Sequence, residues 1–186
     1  IETLKDSGMT FDAMTHVAAG CGPGSFTGIR VGLAAAKGFC MAHKATGVGV
    51  SGLQALAHAA TNVVSGTKTP FLVLADTRRG PLYAQIFDAT AQPIDVIFEA
   101  SVKQLPHLID AKITGSDLRV IGTYRMAVAE ALTMAGVTVV LPDVNEMPSA
   151  SMVARLANEQ IIKNQMGPLH PLYLADPRLG SKKKLV

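Results

Sequence analysis

The stretch CGPGSFTGIRVGLAAAKGF, Cys21 to Phe39, gathers five glycines, one proline and two hydroxyl residues around a single turn. It is entered by an apolar run, His16–Gly20, with the composition of a short strand. Helical spacing then runs from Ser25 to about His43, and TGVGV (Thr46–Val50) reads as a second strand. A strand, a glycine turn, a helix and another strand within 35 or so residues is the signature of an α/β fold.

Such a turn invites a phosphate-binding reading, and two templates can be tested against it. A Walker loop needs Gly-Lys-Ser/Thr after its spacer, because the lysine and hydroxyl serve phosphate and magnesium. None of the glycines here is followed by that triplet at that spacing. The dinucleotide fingerprint would put its third glycine at Thr27, and Gly28 arrives one residue late. What remains is general physics. Gly22 and Gly24 open backbone conformations closed to other residues, Pro23 stiffens the turn, and Ser25 or Thr27 can cap the helix. The turn is therefore either a weak anion site or a purely geometric exit from the strand. The residues alone favour geometry.

The helix carries a second signal. Gly28 and Gly32 lie four apart with Ala35 and Ala36 close by, a surface thin enough for another helix to approach. Ile29, Leu33, Ala36 and Cys40 form another face, and Arg30 and Lys37 are the formal charges. A helix apolar almost all round belongs in a core or at a subunit interface, and the pattern does not separate the two.

Ser51 is placed to cap a second helix carrying Leu53, Leu56, Ala57 and Ala60 on one face. NVVSGTKTP (Asn62–Pro70) is turn-rich and marks a boundary between a first lobe, 1–66, and a second, 67–186. In the second lobe, FLVLAD (Phe71–Asp76) and PLYAQIFD (Pro81–Asp88) read as a hairpin turning through Gly80, with Ile94–Glu99 extending it as a meander. Helices are expected near Val102–Ile109, Met126–Ala135 and Ser149–Gln165, with strands at Leu118–Tyr124 and Val137–Pro142. The proline-broken segment after 165 is expected to be extended, with the C-terminal part packing back on the first lobe.

Composition narrows the function. The chain has 186 residues, is 48% hydrophobic, and lacks tryptophan, so aliphatic residues must fill its core. Its net charge of +3 is concentrated in Arg178 and Lys182–Lys184 at the end of the sequence. The rest is near neutral and offers no basic stripe to follow a nucleic-acid backbone. Cys21 and Cys40 form neither a CxxC pair nor a metal-ligand spacing with the five histidines. The N-terminal residues lack the pattern of a secretory leader, and the uncharged run Ala45–Thr67 is broken by glycines, Gln54, His58 and Asn62. A cytoplasmic protein without a membrane span is expected.

The run Ala18–Ala57 resembles the bacterial TsaB family, also called YeaZ. The resemblance rests on Gly22, Pro23, Gly24, Ser25, Phe26, Thr27, Gly28, Ile29 and Arg30, followed by Gly47, Val48 and Ser51. Asp76, Arg78, Gly80 and Tyr83 are similar to the family's hairpin motif, and Pro171, Tyr173 and Leu174 to its closing segment. The resemblance implies a two-lobed, actin-like fold of the Hsp70/sugar-kinase class, with ribonuclease-H-like lobes. It also implies that the first lobe is truncated, because the family opens with a strand-turn-strand that IETLKDSG does not match.

The implied function is that of a non-catalytic partner for a TsaD-like paralogue in threonylcarbamoyladenosine modification of tRNA, beside the anticodon. A TsaE-like ATPase would complete the assembly, a homodimer would form in the absence of partners, and contact with tRNA would be indirect. No intrinsic activity, metal or cofactor is implied; an adenine nucleotide would sit only at a joint interface. The alternative is a nucleotide-dependent enzyme or a protease of the same superfamily. The resemblance resolves the helix in favour of an interface through Gly28, Arg30, Val31, Gly32, Ala35, Lys37 and Phe39, with Arg30 and Lys37 near its rim.

Overall fold

A computed structural model describes residues 6–63, 68–110 and 117–174. After a single 3-10 turn at Phe11–Ala13, strand β1 (His16–Gly22) pairs in parallel with β2 (Thr46–Ser51), and helix α1 (Phe26–His43) makes the crossover between them. Parallel neighbours require such a connection, so the strand-turn-helix-strand reading follows directly. Ser25 caps α1, its hydroxyl accepting the Gly28 N–H at 3.3 Å. At the other end Lys44 adopts the left-handed conformation, φ 53°, and closes the helix.

Ser51 caps α2 (Gly52–Thr61) through the Gln54 N–H at 3.4 Å. This helix is buried on two sides. Leu53, Leu56, Ala57 and Ala60 pack against Phe71, Val73, Phe87 and Ile121 of a second sheet, while Ala55 joins Val48, Val50, Leu156 and Ala157. It thus ties both sheets together.

The second sheet has five strands, in spatial order Phe98–Ala100 (β5), Leu82–Phe87 (β4), Phe71–Asp76 (β3), Leu118–Gly122 (β6) and Val139–Val140 (β7). β3 (Phe71–Asp76) pairs antiparallel with β4 (Leu82–Phe87) and parallel with β6 (Leu118–Gly122). Side chains on a strand alternate between faces, and β3 shows it: Phe71 and Val73 meet α2, while Leu72 and Leu74 face the other layer. That layer consists of α3 (Leu105–Asp110) and α4 (Arg125–Met134), which contribute Leu105, Ile109, Val128 and Leu132 to a fully buried cluster. Helix α5 (Ala150–Ile162), capped by Ser149 on the Met152 N–H at 3.3 Å, packs across α2 and the β1–β2 sheet.

Several elements are shorter than their sequence patterns. β5 covers Phe98–Ala100 rather than Ile94–Glu99. Asp95 interrupts the ladder there, its carboxylate accepting the Ile86 N–H at 3.1 Å and its carbonyl the Gln85 amide at 2.9 Å. β7 is only Val139–Val140, at the sheet edge. α3 starts at Leu105 and not Val102, because the Gln104 side chain holds a local turn through the Ser101 N–H and hydroxyl. β6 stops at Gly122, where φ is 100°, and Tyr124 is left-handed, so no strand reaches that far.

Beyond α5 the chain crosses back over the first sheet. The Gly49 N–H donates to the Gly167 carbonyl at 2.8 Å, Leu169 is buried against Cys21, Leu33 and Ala36, and the Leu172 N–H donates to the Cys21 carbonyl at 2.9 Å. Gly49 has no space for a side chain: a Cβ would overlap the Pro168 carbonyl oxygen and lie 2.6 Å from Cys21 Sγ.

Candidate functional site

The glycine turn opens with Gly22 at φ 104°, and a Cβ there would come within 2.8 Å of Ile29 Cδ1. Glycine is required for the conformation, whereas the Ile29 side-chain tip could shift to make the space. The turn delivers Ser25 to its capping position and sends Arg30, one turn into α1, toward the returning C-terminal segment. The Arg30 guanidinium lies 3.8 Å from the Phe26 ring centroid and 5.5 Å from that of Tyr173, and its Nε donates to the Tyr173 hydroxyl at 2.7 Å. Residues 143 positions apart thereby form one stacked wall.

The opposite wall is the β3–β4 turn. Asp76 accepts the Arg78 N–H at 2.7 Å, which holds Arg78 at φ 57°, and Gly80 closes the turn at φ 110°. The Thr77 hydroxyl spans the turn to the Pro81 carbonyl at 2.6 Å. Arg79 reaches the Tyr83 hydroxyl at 3.0 Å and Glu99 at 2.9 Å. Between the walls lies a cleft of about 540 Å³, floored by Leu172 and Leu174.

The three sequence motifs therefore converge on one cavity. Gly24, Ser25, Thr27, Arg30, Arg78 and Tyr83 line it, while Gly22, Pro23, Asp76 and Gly80 shape the turns beside it. Its lining carries three arginines and, among the described residues, no carboxylate. No group of three or more potential ligand side chains able to hold a metal occurs among the described residues. Phe26 enters the sequence reading only through the family resemblance, and Arg79, beside Asp76 and Arg78, is not among its candidate site residues. An aromatic one residue past the cap and a second arginine in the turn were the available signals.

Behind the turn sits Cys21, 3% exposed. Burial pushes its thiol pKa up, partly offset by the backbone N–H groups of His170 and Val50 and by the positive charge of Lys37. It packs as a small apolar residue.

The far side of α1 is different. Leu33 and Ala36 are its buried residues, and Gly28, Val31, Gly32, Ala35 and Phe39 are all exposed. A helix apolar on this many sides would normally be enclosed; among the described residues it is not. At about 3.6 residues per turn these five share one face, whereas Arg30 and Lys37 lie on the opposite side from Gly32. Val31 is 64% exposed, a Cβ on Gly32 would meet nothing within 4 Å, and Phe39 stacks on Phe11 at 5.6 Å.

Residues 1–120 match the family model described as TsaD, tRNA N6-adenosine threonylcarbamoyltransferase. The chain belongs to that family. Within it the resemblance is to TsaB/YeaZ proteins. The Escherichia coli K12 protein named tRNA threonylcarbamoyladenosine biosynthesis protein TsaB is 34% identical over 82 residues, 44% of this chain and 35% of that one. An uncharacterised protein of Mycobacterium tuberculosis H37Rv is 35% identical over 83 residues, 45% of this chain and 36% of its own length. The matched stretch thus spans about a third of these relatives.

The solved structure of YeaZ from Pseudomonas aeruginosa superposes with a TM-score of 0.75 at 21% identity, covering 93% of this chain and 79% of that one. A second structure, described as having similarity to peptidase YEAZ from the same organism, gives 0.75 at 20% identity over 94% and 80%. At these identities the likeness establishes the fold, which is the actin-like α/β architecture of TsaB/YeaZ proteins. No helix among the described residues of this TsaB/YeaZ-like chain is long and apolar enough to cross a membrane.

Proposed function

We propose that this chain works in threonylcarbamoyladenosine biosynthesis on tRNA as a non-catalytic partner of a TsaD-type catalytic subunit. The observation that carries the reading is the outer face of α1. Gly28, Gly32 and Ala35 leave a shallow strip along an 18-residue helix, flanked by exposed Val31 and Phe39. Small residues let another helix backbone approach closely, and the flanking apolar side chains supply area to bury. A contiguous face of this kind marks an association surface.

The name carried by the E. coli relative supports the pathway, and the TsaD-type partner is our own reading of the exposed face. By itself the chain is read as a homodimer through the same face, since a strip able to accept a partner helix can accept its own copy. Reconstitution tests the role. A TsaD-type protein is assayed for threonylcarbamoyladenosine formation with its ATPase and a source of threonylcarbamoyl-adenylate, with and without this chain. Formation that depends on the chain, with none from the chain alone, is expected. Modification by the other components at an undiminished rate without it would overturn the reading.

A further inference from the structure

Before Arg178 the chain is near neutral in sum, but its charges are segregated. No aspartate or glutamate occurs between Asp12 and Asp76, so β1, α1, β2 and α2 carry none. None occurs in the returning segment from Lys163 to Leu174 either. Asp12 and Glu159, which pack against this layer, are both paired, Asp12 with His43 at 2.9 Å and Glu159 with His58 at 2.6 Å and Lys163 at 3.4 Å. Against this background α1 carries Arg30, Lys37 and, at its C-cap, Lys44. Steps of seven residues return to nearly the same side of a helix, so these cations form a row about 10 Å apart. Arg30 is occupied by Phe26 and Tyr173. Lys37 and Lys44 are exposed and, among the described residues, have no ion-pair partner. The exposed His170 is held beside this row, since its backbone N–H and the charge of Lys37 both act on Cys21. The helix dipole accounts for a cation at a C-cap, but not for one in mid-helix or for a whole layer without carboxylates.

We propose that the flank of α1 bearing Lys37 and Lys44, with His170 beside it, contacts the phosphate backbone of RNA. A surface of one sign attracts a polyanion, releases its condensed counterions and positions it without reading its sequence. RNA is favoured over an acidic protein because the chain is read as working on tRNA, and that preference rests on the function proposed above. The flank lies across α1 from Gly32, so a partner seated on the outer face leaves both lysines accessible. Contact with tRNA is then direct, where the family resemblance implied an indirect one.

Filter binding of the full chain to an unmodified tRNA transcript, from about 50 to 200 mM salt, is the test. Each lysine that meets a phosphate adds about one to the slope of log affinity against log salt. Over that range the parent should therefore lose about tenfold more affinity than the double variant Lys37→Gln, Lys44→Gln. The double variant should weaken binding to tRNA and to an unrelated RNA hairpin alike, because phosphate contacts are blind to sequence. Lys103→Gln, at an exposed lysine in the turn before α3, is the control and should leave the slope unchanged. These side chains are all exposed, and thermal melts show whether the variants are folded. No saturable binding of either RNA, a slope unchanged in the double variant, or an equal change in Lys103→Gln would overturn the inference. Loss of affinity for the TsaD-type partner with RNA binding untouched would also overturn it, and would assign the flank to an acidic protein. RNA binding is measured on this chain alone, so failure here leaves the reconstitution result standing, and failure of the reconstitution leaves the RNA result standing.

Discussion

Replacing Gly49 by alanine tests how the C-terminal segment is held against the first sheet. The new methyl group would overlap the Pro168 carbonyl oxygen and press on Cys21 Sγ at 2.6 Å, and backbone cannot yield as a side-chain tip can. Residues 167–172 must move away. Their two backbone hydrogen bonds, Gly49 to Gly167 and Leu172 to Cys21, are worth about 1 kcal/mol each. Exposing Leu169, now 8% accessible, costs roughly 2 kcal/mol. Full release therefore removes about 4 kcal/mol, and partial accommodation by strain about 2 kcal/mol. Urea unfolding followed by circular dichroism measures the difference. Gly20→Ala is the control: its Cβ would meet nothing within 4 Å, so a change within about 0.5 kcal/mol is expected. Should Gly49→Ala match that control, the strap of residues 167–172 is not packed as described.

Three further outcomes follow from the same packing. Glu159 is held below the usual carboxylate range first by the hydrogen bond from His58 at 2.6 Å, against an opposing effect of burial, with smaller contributions from the His58 charge and from Lys163. A lowered folded value means stabilisation that is complete above the unfolded carboxylate value, about 4.3, and is lost as pH falls through the folded one. His58→Ala should cost about 0.5–1 kcal/mol near neutral pH, with the gap closing toward pH 3 in urea titrations. Cys21, its thiol pKa raised by burial, should resist iodoacetamide in the folded protein and react once urea unfolds it, as followed by mass spectrometry. Leu33→Ala should destabilise by about 2–5 kcal/mol and Val31→Ala by less than about 0.5, because the first is 3% and the second 64% exposed; thermal melts separate them.

What the sequence made legible was local. Ser25, Ser51 and Ser149 cap the helices they precede, since a hydroxyl needs only the next three residues to find its N–H. The continuous apolar run of Phe71–Leu74 marks a strand buried on both faces, and β3 is one, with Phe71 and Val73 against α2 and Leu72 and Leu74 against the other layer. The weak strands at 94–99 and 137–142 were overestimated because an aspartate side chain and an edge position decide where pairing stops, and neither shows in hydrophobic pattern. Of the candidate site, each motif could be quoted separately. Their meeting in one cleft could not, because Arg30 finds Tyr173 only after the chain has built both sheets and returned. Arg30 and Lys37 were read with the Gly28–Gly32 strip, but helical geometry puts them on its other side.

The most direct measurement of the central claim is the affinity of the TsaD-type partner for this chain and for Gly32→Leu, by calorimetry. The new side chain projects from the outer face of α1, where a Cβ at Gly32 meets nothing within 4 Å. It also removes a helix-interior glycine worth about 0.8 kcal/mol, so the isolated chain should melt at the same temperature or higher. Binding through that face predicts a loss of about a hundredfold or more, since the helix backbones can no longer approach. A folded variant that binds the partner as tightly as the parent would contradict the account.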